Sequence, residues 1–317
     1  MAARPDAVRA GVVGVGAMGR HHARVYAEYG GTELVRVCDA DPERAAGVAS
    51  RHGVSTGDWP DVLDDVEAVS LAVPTRHHYE MARECIDRGV HVLVEKPFVE
   101  TAREGRDLIE RARDAGVVLQ VGHIERFNPA VEVVSDYVAD LDVIGVRTER
   151  LNPPVARDIR DSAVMDLMIH DIDVILSLVD SPVVGVNAIG ARENRHALAE
   201  FEFENGVIGH LTASRLTQDR VRRLTVTAEE CLVRVDYDEQ SVSVHRQGDD
   251  GSSTQTLVER LAVEAGEPLR AELASFAEAV RTGSDPVVSG EDGLRVVEYA
   301  REIDEMAMNR LRRRENA

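Results

Sequence analysis

Lysine is almost absent from this chain: of its 37 Lys and Arg residues, Lys96 alone is lysine. On a solvated face the two cations are largely interchangeable, whereas a site that needs a compact amine of adjustable pKa does not accept a guanidinium. A lysine that persists in an arginine-based sequence is therefore a candidate functional residue. Cysteine is scarce as well, and Cys38, Cys85 and Cys231 are odd in number and lack metal-ligand spacing. That excludes a disulfide framework, offers no metal site, and points to a reducing compartment, the cytoplasm. Long apolar runs are missing too. No stretch approaches the ~18 apolar residues of a membrane span, and Met1 to Asp6 enters a strand pattern without an apolar signal core, so no membrane association is expected.

Basic charge is outweighed, 57 acidic residues against 37 basic giving a net charge of -20, which argues against nonspecific binding to nucleic acid or to an anionic membrane surface. The arginines Arg310, Arg312, Arg313 and Arg314 suit the negative end of a terminal helix and need no nucleic-acid partner. An acidic, lysine-poor surface of this kind fits a high-salt, halophilic-type cytoplasm.

What is present is ample: 317 residues with 44% hydrophobic content make two domains with buried cores. The apolar run Val8 to Val15 ends in Gly14-Val15-Gly16-Ala17-Met18-Gly19 and is followed by an amphipathic helix pattern through Tyr26; the next run, Leu34 to Cys38, ends at Asp39, 20 residues after Gly19. Glycines so placed allow a tight turn, close approach of backbone to a pyrophosphate, and packing of helix on strand, with the helix N-terminus facing the anion. A carboxylate closing the second strand accepts ribose hydroxyls and repels a 2'-phosphate, so the expected cofactor is NAD. The alternation continues through strand 66–73, a helix from His77 to Arg88, strand 90–94, a helix from Arg103 to Ala115 and strand 117–121, which requires a doubly wound parallel sheet, a Rossmann domain, over residues 1–122. Gly14 to Gly19, Asp39, Pro74, Lys96 and Gly122-His123 then share the carboxyl rim of that sheet, where ligands bind.

From residue 123 the rhythm changes to helices at Asn128 to Ala139 and Ser162 to Val179, a strand at 143–151, then successive strands from Val184 to Arg246 with an Asn205-Gly206 hairpin signal. Residues 123–317 therefore read as an α+β domain with a largely antiparallel open sheet, closed by helices at 269–282 and 290–313. On the long helix Asp166 and His170 are four residues apart, so the carboxylate can orient the imidazole. A nicotinamide enzyme oxidising an alcohol needs a group of near-neutral pKa to take the hydroxyl proton, and His170 supplies it. Lys96 can hydrogen-bond the same oxygen.

Gly14 to Gly19, Val73-Pro74-Thr75 with His78, Gly89-Val90-His91-Val92-Leu93-Val94-Glu95-Lys96-Pro97 and Asp166-Leu167-Met168-Ile169-His170 resemble the signature blocks of the Gfo/Idh/MocA oxidoreductases. The resemblance extends to Val288 to Leu294. It implies that Lys96, Asp166 and His170 are the catalytic set. The dinucleotide would be held by Gly14, Gly16, Ala17, Met18, Gly19, Asp39, Val73, Pro74, Thr75, His78, Glu95 and Lys96, and the second sheet would form a homodimer or homotetramer interface. A narrower likeness, in Val121 to Pro129 and in Arg157-Asp158-Ile159-Arg160 leading into Asp166, is to a subgroup that oxidises the 3-hydroxyl of a UDP-N-acetylamino sugar. There Arg126, Arg157 and Arg160 would meet a diphosphate and Asn128 a sugar hydroxyl or amide. Dehydrogenation of an inositol or free sugar, and a noncatalytic NAD-binding regulator, are the competing readings. The halophilic reading expects activity to persist in molar KCl; a salt titration that abolishes activity there contradicts it.

Overall fold

A computed structural model describes residues 7–154, 161–247 and 256–315, the last five without their side chains. The chain divides into two compact units, Met1–Ile124 with Glu267–Val297, and Glu125–Gly266 with Glu298–Ala317. This differs from the single boundary expected at residues 122 and 123, because the segment Glu267–Val297 returns to the first unit.

The first unit runs β1 (Val8–Val13), α1 (Gly19–Glu28), β2 (Thr32–Cys38), α2 (Pro42–His52), β3 (Ser55–Thr56), β4 (Ala68–Leu71), α3 (His78–Asp87), β5 (His91–Glu95), α4 (Ala102–Ala115) and β6 (Leu119–Gly122). Its six strands lie in the order β3-β2-β1-β4-β5-β6, each pair parallel. The crossovers on either side of β1 diverge, so the order reverses between β1 and β4 and opens a crevice at their carboxyl ends. Helix ends follow local chemistry. The Asp41 side chain accepts from the Glu43 and Arg44 amides with Pro42 in the first turn of α2, and Thr101 and Glu104 form a reciprocal capping box on α4. Helix α2 was not anticipated from the sequence, although its cap, its proline and its closing Gly53 are all present there.

The second unit contains α5 (Pro129–Val138), β7 (Val143–Leu151), a π-helical turn at Val164–Met168, α6 (Ile169–Leu178), β8 (Val183–Ala191), β9 (His196–Phe203), β10 (Ile208–Ser214), β11 (Val221–Ala228), β12 (Leu232–Asp236), β13 (Ser241–Gln247) and β14 (Thr256–Leu261). Eight strands in the order β14-β13-β12-β11-β7-β10-β9-β8 form a sheet that is antiparallel except between β7 and β10. Strand β14 was not anticipated, and the expected continuous helix from Ser162 is instead the π turn followed by α6. On β9 Ala197, Ala199, Phe201 and Phe203 are buried while Leu198, Glu200 and Glu202 are exposed, the period-2 pattern of a sheet packed on one face.

Two helices close the chain, α7 (Pro268–Thr282) and α8 (Gly290–Glu315), α8 starting in the first unit and ending in the second. Leu269, Leu273, Phe276 and Ala277 of α7 join Ala10, Val12, Tyr26 and Leu93 in one core cluster, so the apolar stripe of α7 completes the first unit. Among the described residues no helix is long and apolar enough to cross a membrane.

The second unit buries a charge cluster beside α6. Arg150, 4% exposed at its side chain, forms paired hydrogen bonds of 2.9 Å to both Asp171 oxygens and donates to Glu125 at 2.7 Å. Removing one partner of such a pair strands the opposite charge in the interior, which costs about 3–5 kcal/mol. Arg150→Met is expected to lower unfolding stability in urea by that amount, and a double change with Asp171→Leu to recover much of it.

Candidate active site

The turn after β1 is built on glycine for three different reasons. Gly14 has φ +84 and a Cβ there would lie 2.5 Å from the Ala72 carbonyl oxygen, while one at Gly19 would lie 1.7 Å from the Gly14 oxygen. Both positions exclude any side chain. A Cβ at Gly16 meets nothing within 4 Å, so that face of the turn is open to a ligand. Ala17 and Met18 are exposed beside it, and the cavity next to the turn is lined by Val15, Gly16, Ala17, Arg20, Arg44, Gly47, Val48 and Arg51. These features fit a dinucleotide pyrophosphate held against the start of α1.

Asp39 ends β2 beside this turn with its side chain 7% exposed. One oxygen accepts the Val15 amide at 2.8 Å; the other accepts the Asp41 amide at 2.9 Å and Arg44 Nη1 at 3.1 Å. The carboxylate that the sequence assigns to ribose hydroxyls thus also anchors the glycine turn to β2.

Beyond β4, Val73 and Thr75 are half-buried and Pro74 is exposed. His78 is expected as a cofactor contact. It is fully buried, with Nε2 2.8 Å from the Val73 carbonyl and Nδ1 2.9 and 3.1 Å from those of Pro97 and Phe98. Burial holds its pKa below the ordinary histidine value, against the opposing pull of these carbonyls. Both ring nitrogens are occupied, so His78 braces the loop after β4 against the segment that carries Lys96.

Lys96 is half-buried at the end of β5, and its backbone amide donates to Glu95 Oε2 at 3.2 Å. Glu95, 9% exposed, lies 2.9 Å through Oε1 from Nε2 of the fully buried His22 on α1. Burial opposes ionisation of Glu95, but the hydrogen bond and electrostatic attraction of His22, with the neighbouring Lys96, outweigh it and hold the carboxyl below its usual range. His22 was missed in the sequence because a histidine three residues after Gly19 carries no signal of a partner 73 positions away.

In the second unit, Asp166 lies in the π turn and His170 in the first turn of α6, both half-buried. The wider turn means that their four-residue spacing is not that of the regular α-helix assumed from sequence; such turns recur at functional sites. Asp166 Oδ2 accepts from Arg215 Nη2 at 2.5 Å, and Arg215 is 5% exposed. Arg215 was also missed, since only the return of β10 brings it to Asp166. Arg126 directs Nε to Asp173 at 3.0 Å. Asn128 is expected to meet a sugar hydroxyl or amide. It is 3% exposed and caps α5, its Oδ1 accepting from Ala130 and its Nδ2 donating to the Tyr237 carbonyl at 3.2 Å and to Glu125 at 3.3 Å. Its amide is spent on the fold. Arg157 and Arg160 lie outside the described residues.

Residues 8–123 match the model of an oxidoreductase family with an NAD-binding Rossmann fold, and residues 144–234 match the Gfo/Idh/MocA C-terminal domain. The UDP-N-acetylglucosamine 3-dehydrogenase of Acidithiobacillus ferrooxidans is 32% identical over 93% of this chain and 96% of its own. The chain belongs to the Gfo/Idh/MocA oxidoreductase family. A second Gfo/Idh/MocA-type relative, the NAD-dependent scyllo-inositol 2-dehydrogenase of Bacillus subtilis, is 29% identical over 90% of each chain. The solved structure of the Acidithiobacillus enzyme superposes with a TM-score of 0.87 at 31% identity, covering 94% of this chain and 97% of that one. This Gfo/Idh/MocA oxidoreductase binds NAD through its Rossmann domain. Gly19→Ala forces a methyl group into the Gly14 carbonyl. The variant is expected to lose NADH binding in a fluorescence titration while keeping its far-UV circular dichroism.

Proposed function

We propose that the chain oxidises a ring hydroxyl of a sugar to a ketone, and that its substrate is a UDP-N-acetylamino sugar oxidised at the 3-hydroxyl. The observation that carries this reading is the likeness to the Acidithiobacillus UDP-N-acetylglucosamine 3-dehydrogenase over almost the full length of both chains. Bound NAD supplies the hydride acceptor. His170 takes the hydroxyl proton while the carbon-bound hydrogen leaves with its electron pair, which balances the conversion of alcohol to ketone. Lys96 hydrogen-bonds the same oxygen and stabilises the negative charge that develops on it. Asp166 holds the imidazole in position, itself held by Arg215.

Arg126, Arg157 and Arg160 are the groups this reading offers to the diphosphate. The enzyme works in a reducing cytoplasm, in keeping with three buried free cysteines. It assembles as a homo-oligomer through the open face of the second sheet, where Ile189, Leu198 and Ile208 are exposed.

The second reading, an inositol dehydrogenase, is favoured by the scyllo-inositol relative. Purified protein with NAD is expected to form NADH on UDP-N-acetylglucosamine and not on inositols or free hexoses; the reverse pattern selects the second reading, and no NADH formation on any of them selects a noncatalytic regulator. Lys96→Arg keeps the charge and loses the compact amine, so turnover is expected to fall about 10²-fold or more. Turnover near that of the unaltered enzyme removes Lys96 from the mechanism.

A further inference from the structure

His22 has no role in the chemistry described above, yet it is fully buried on α1, three residues after the last glycine of the turn. Its Nε2 lies 2.9 Å from Glu95 Oε1, and its Nδ1 is buried with no hydrogen-bond partner. Nε2 of His22 donates its hydrogen to the Glu95 carboxylate.

That donor fixes the orientation of the carboxylate. The other Glu95 oxygen accepts the Lys96 backbone amide at 3.2 Å. Below it lies Gly122 of β6, where a Cβ would sit 3.2 Å from Glu95 Cα and 3.3 Å from Oε2. The titratable groups facing Glu95 are His22 from α1, Lys96 beyond β5 and, from α3, His78. We propose that His22 is a positioning residue for the reaction: through its hydrogen bond to Glu95 it keeps an oriented anion beside Lys96, and so couples the dinucleotide-binding helix to the catalytic amine. This rests on the proposed role of Lys96.

The consequence is a pH dependence of defined sign. Burial raises the Glu95 carboxyl, but the hydrogen bond and electrostatic attraction of His22, with Lys96, outweigh it and leave the group below its ordinary value. Without His22, burial prevails and the carboxyl titrates at higher pH. Function that needs the anion is then lost as pH falls through that raised value, where the unaltered enzyme is still active.

The test compares His22→Phe, which fills the space without a donor, with His22→Gln, which restores an N–H. Activity with NAD and UDP-N-acetylglucosamine is followed against pH, together with NADH affinity and thermal stability. In His22→Phe the acid limb of kcat is expected to rise by about one pH unit or more, with NADH affinity changed less than about threefold, and His22→Gln to move the limb back. Because Lys96 is the one lysine of the chain, reductive methylation with isotope-labelled methyl groups gives a side-chain NMR signal for that residue that needs no substrate. In His22→Phe that signal is expected to acquire an inflection at higher pH than in the unaltered enzyme, which Glu95→Gln abolishes. An unmoved acid limb and no inflection, with the loss confined to thermal stability or NADH affinity, overturns the inference and leaves His22 a packing residue. Should Lys96→Met stay active, the proposed function of Lys96 fails instead, and the NMR titration still decides whether His22 controls Glu95.

Discussion

The first unit depends on how closely two loops approach where the parallel sheet reverses its strand order. Gly14, after β1, lies so near Ala72 and Val73, after β4, that a Cβ on it would be 2.5 Å from the Ala72 oxygen and 2.8 Å from Val73 Cγ1. Only a residue without a side chain closes that gap, and φ +84 asks for glycine independently. The same turn is pulled toward β2 by the Val15 amide on Asp39 and capped by Gly19 under the Gly14 carbonyl. The geometry that lets α1 present its amino end to a pyrophosphate is thus a product of three tight contacts, and each of them is made by a residue of the motif itself.

In the second unit, charge is arranged in enclosed pairs. In a chain that uses arginine almost exclusively, guanidinium groups take the partly enclosed carboxylates: Arg150 on Asp171 and Glu125, Arg215 on Asp166, Arg126 on Asp173. Their planar forks match a carboxylate in two places at once, and they stay charged when enclosed. The amine at Lys96 is the exception, and its neighbourhood is built differently. It adjoins a carboxylate oriented by a buried histidine and a backbone amide, so the local field around the one small cation is set by Glu95.

Much of the first unit was legible in the sequence because its determinants are local. Periodicity, Gly116 in a left-handed helix cap, and the 20-residue interval from Gly19 to Asp39 are all properties of neighbouring residues. The second sheet was legible as a set of strands from period-2 burial, as on β9, but its order was not, since the parallel pairing of β7 with β10 joins segments far apart in the chain. Asn128 and His78 show the same limit at the level of single side chains. Each has a chemistry that suits a ligand, and each is consumed by hydrogen bonds to backbone that only the folded chain brings near.

The sequence by itself determined the strand-turn-helix that holds the dinucleotide, the carboxylate at the end of β2, and the singular position of Lys96, because glycine sterics, helix capping and side-chain chemistry act over a few residues. Tertiary structure decided that α7 returns to complete the first core, that the helix bearing Asp166 opens into a π turn held by Arg215, and that His22 meets Glu95 across 73 residues. Those outcomes depend on which apolar surfaces and buried charges find one another when the chain closes, and contacts of that range leave no pattern in the local sequence.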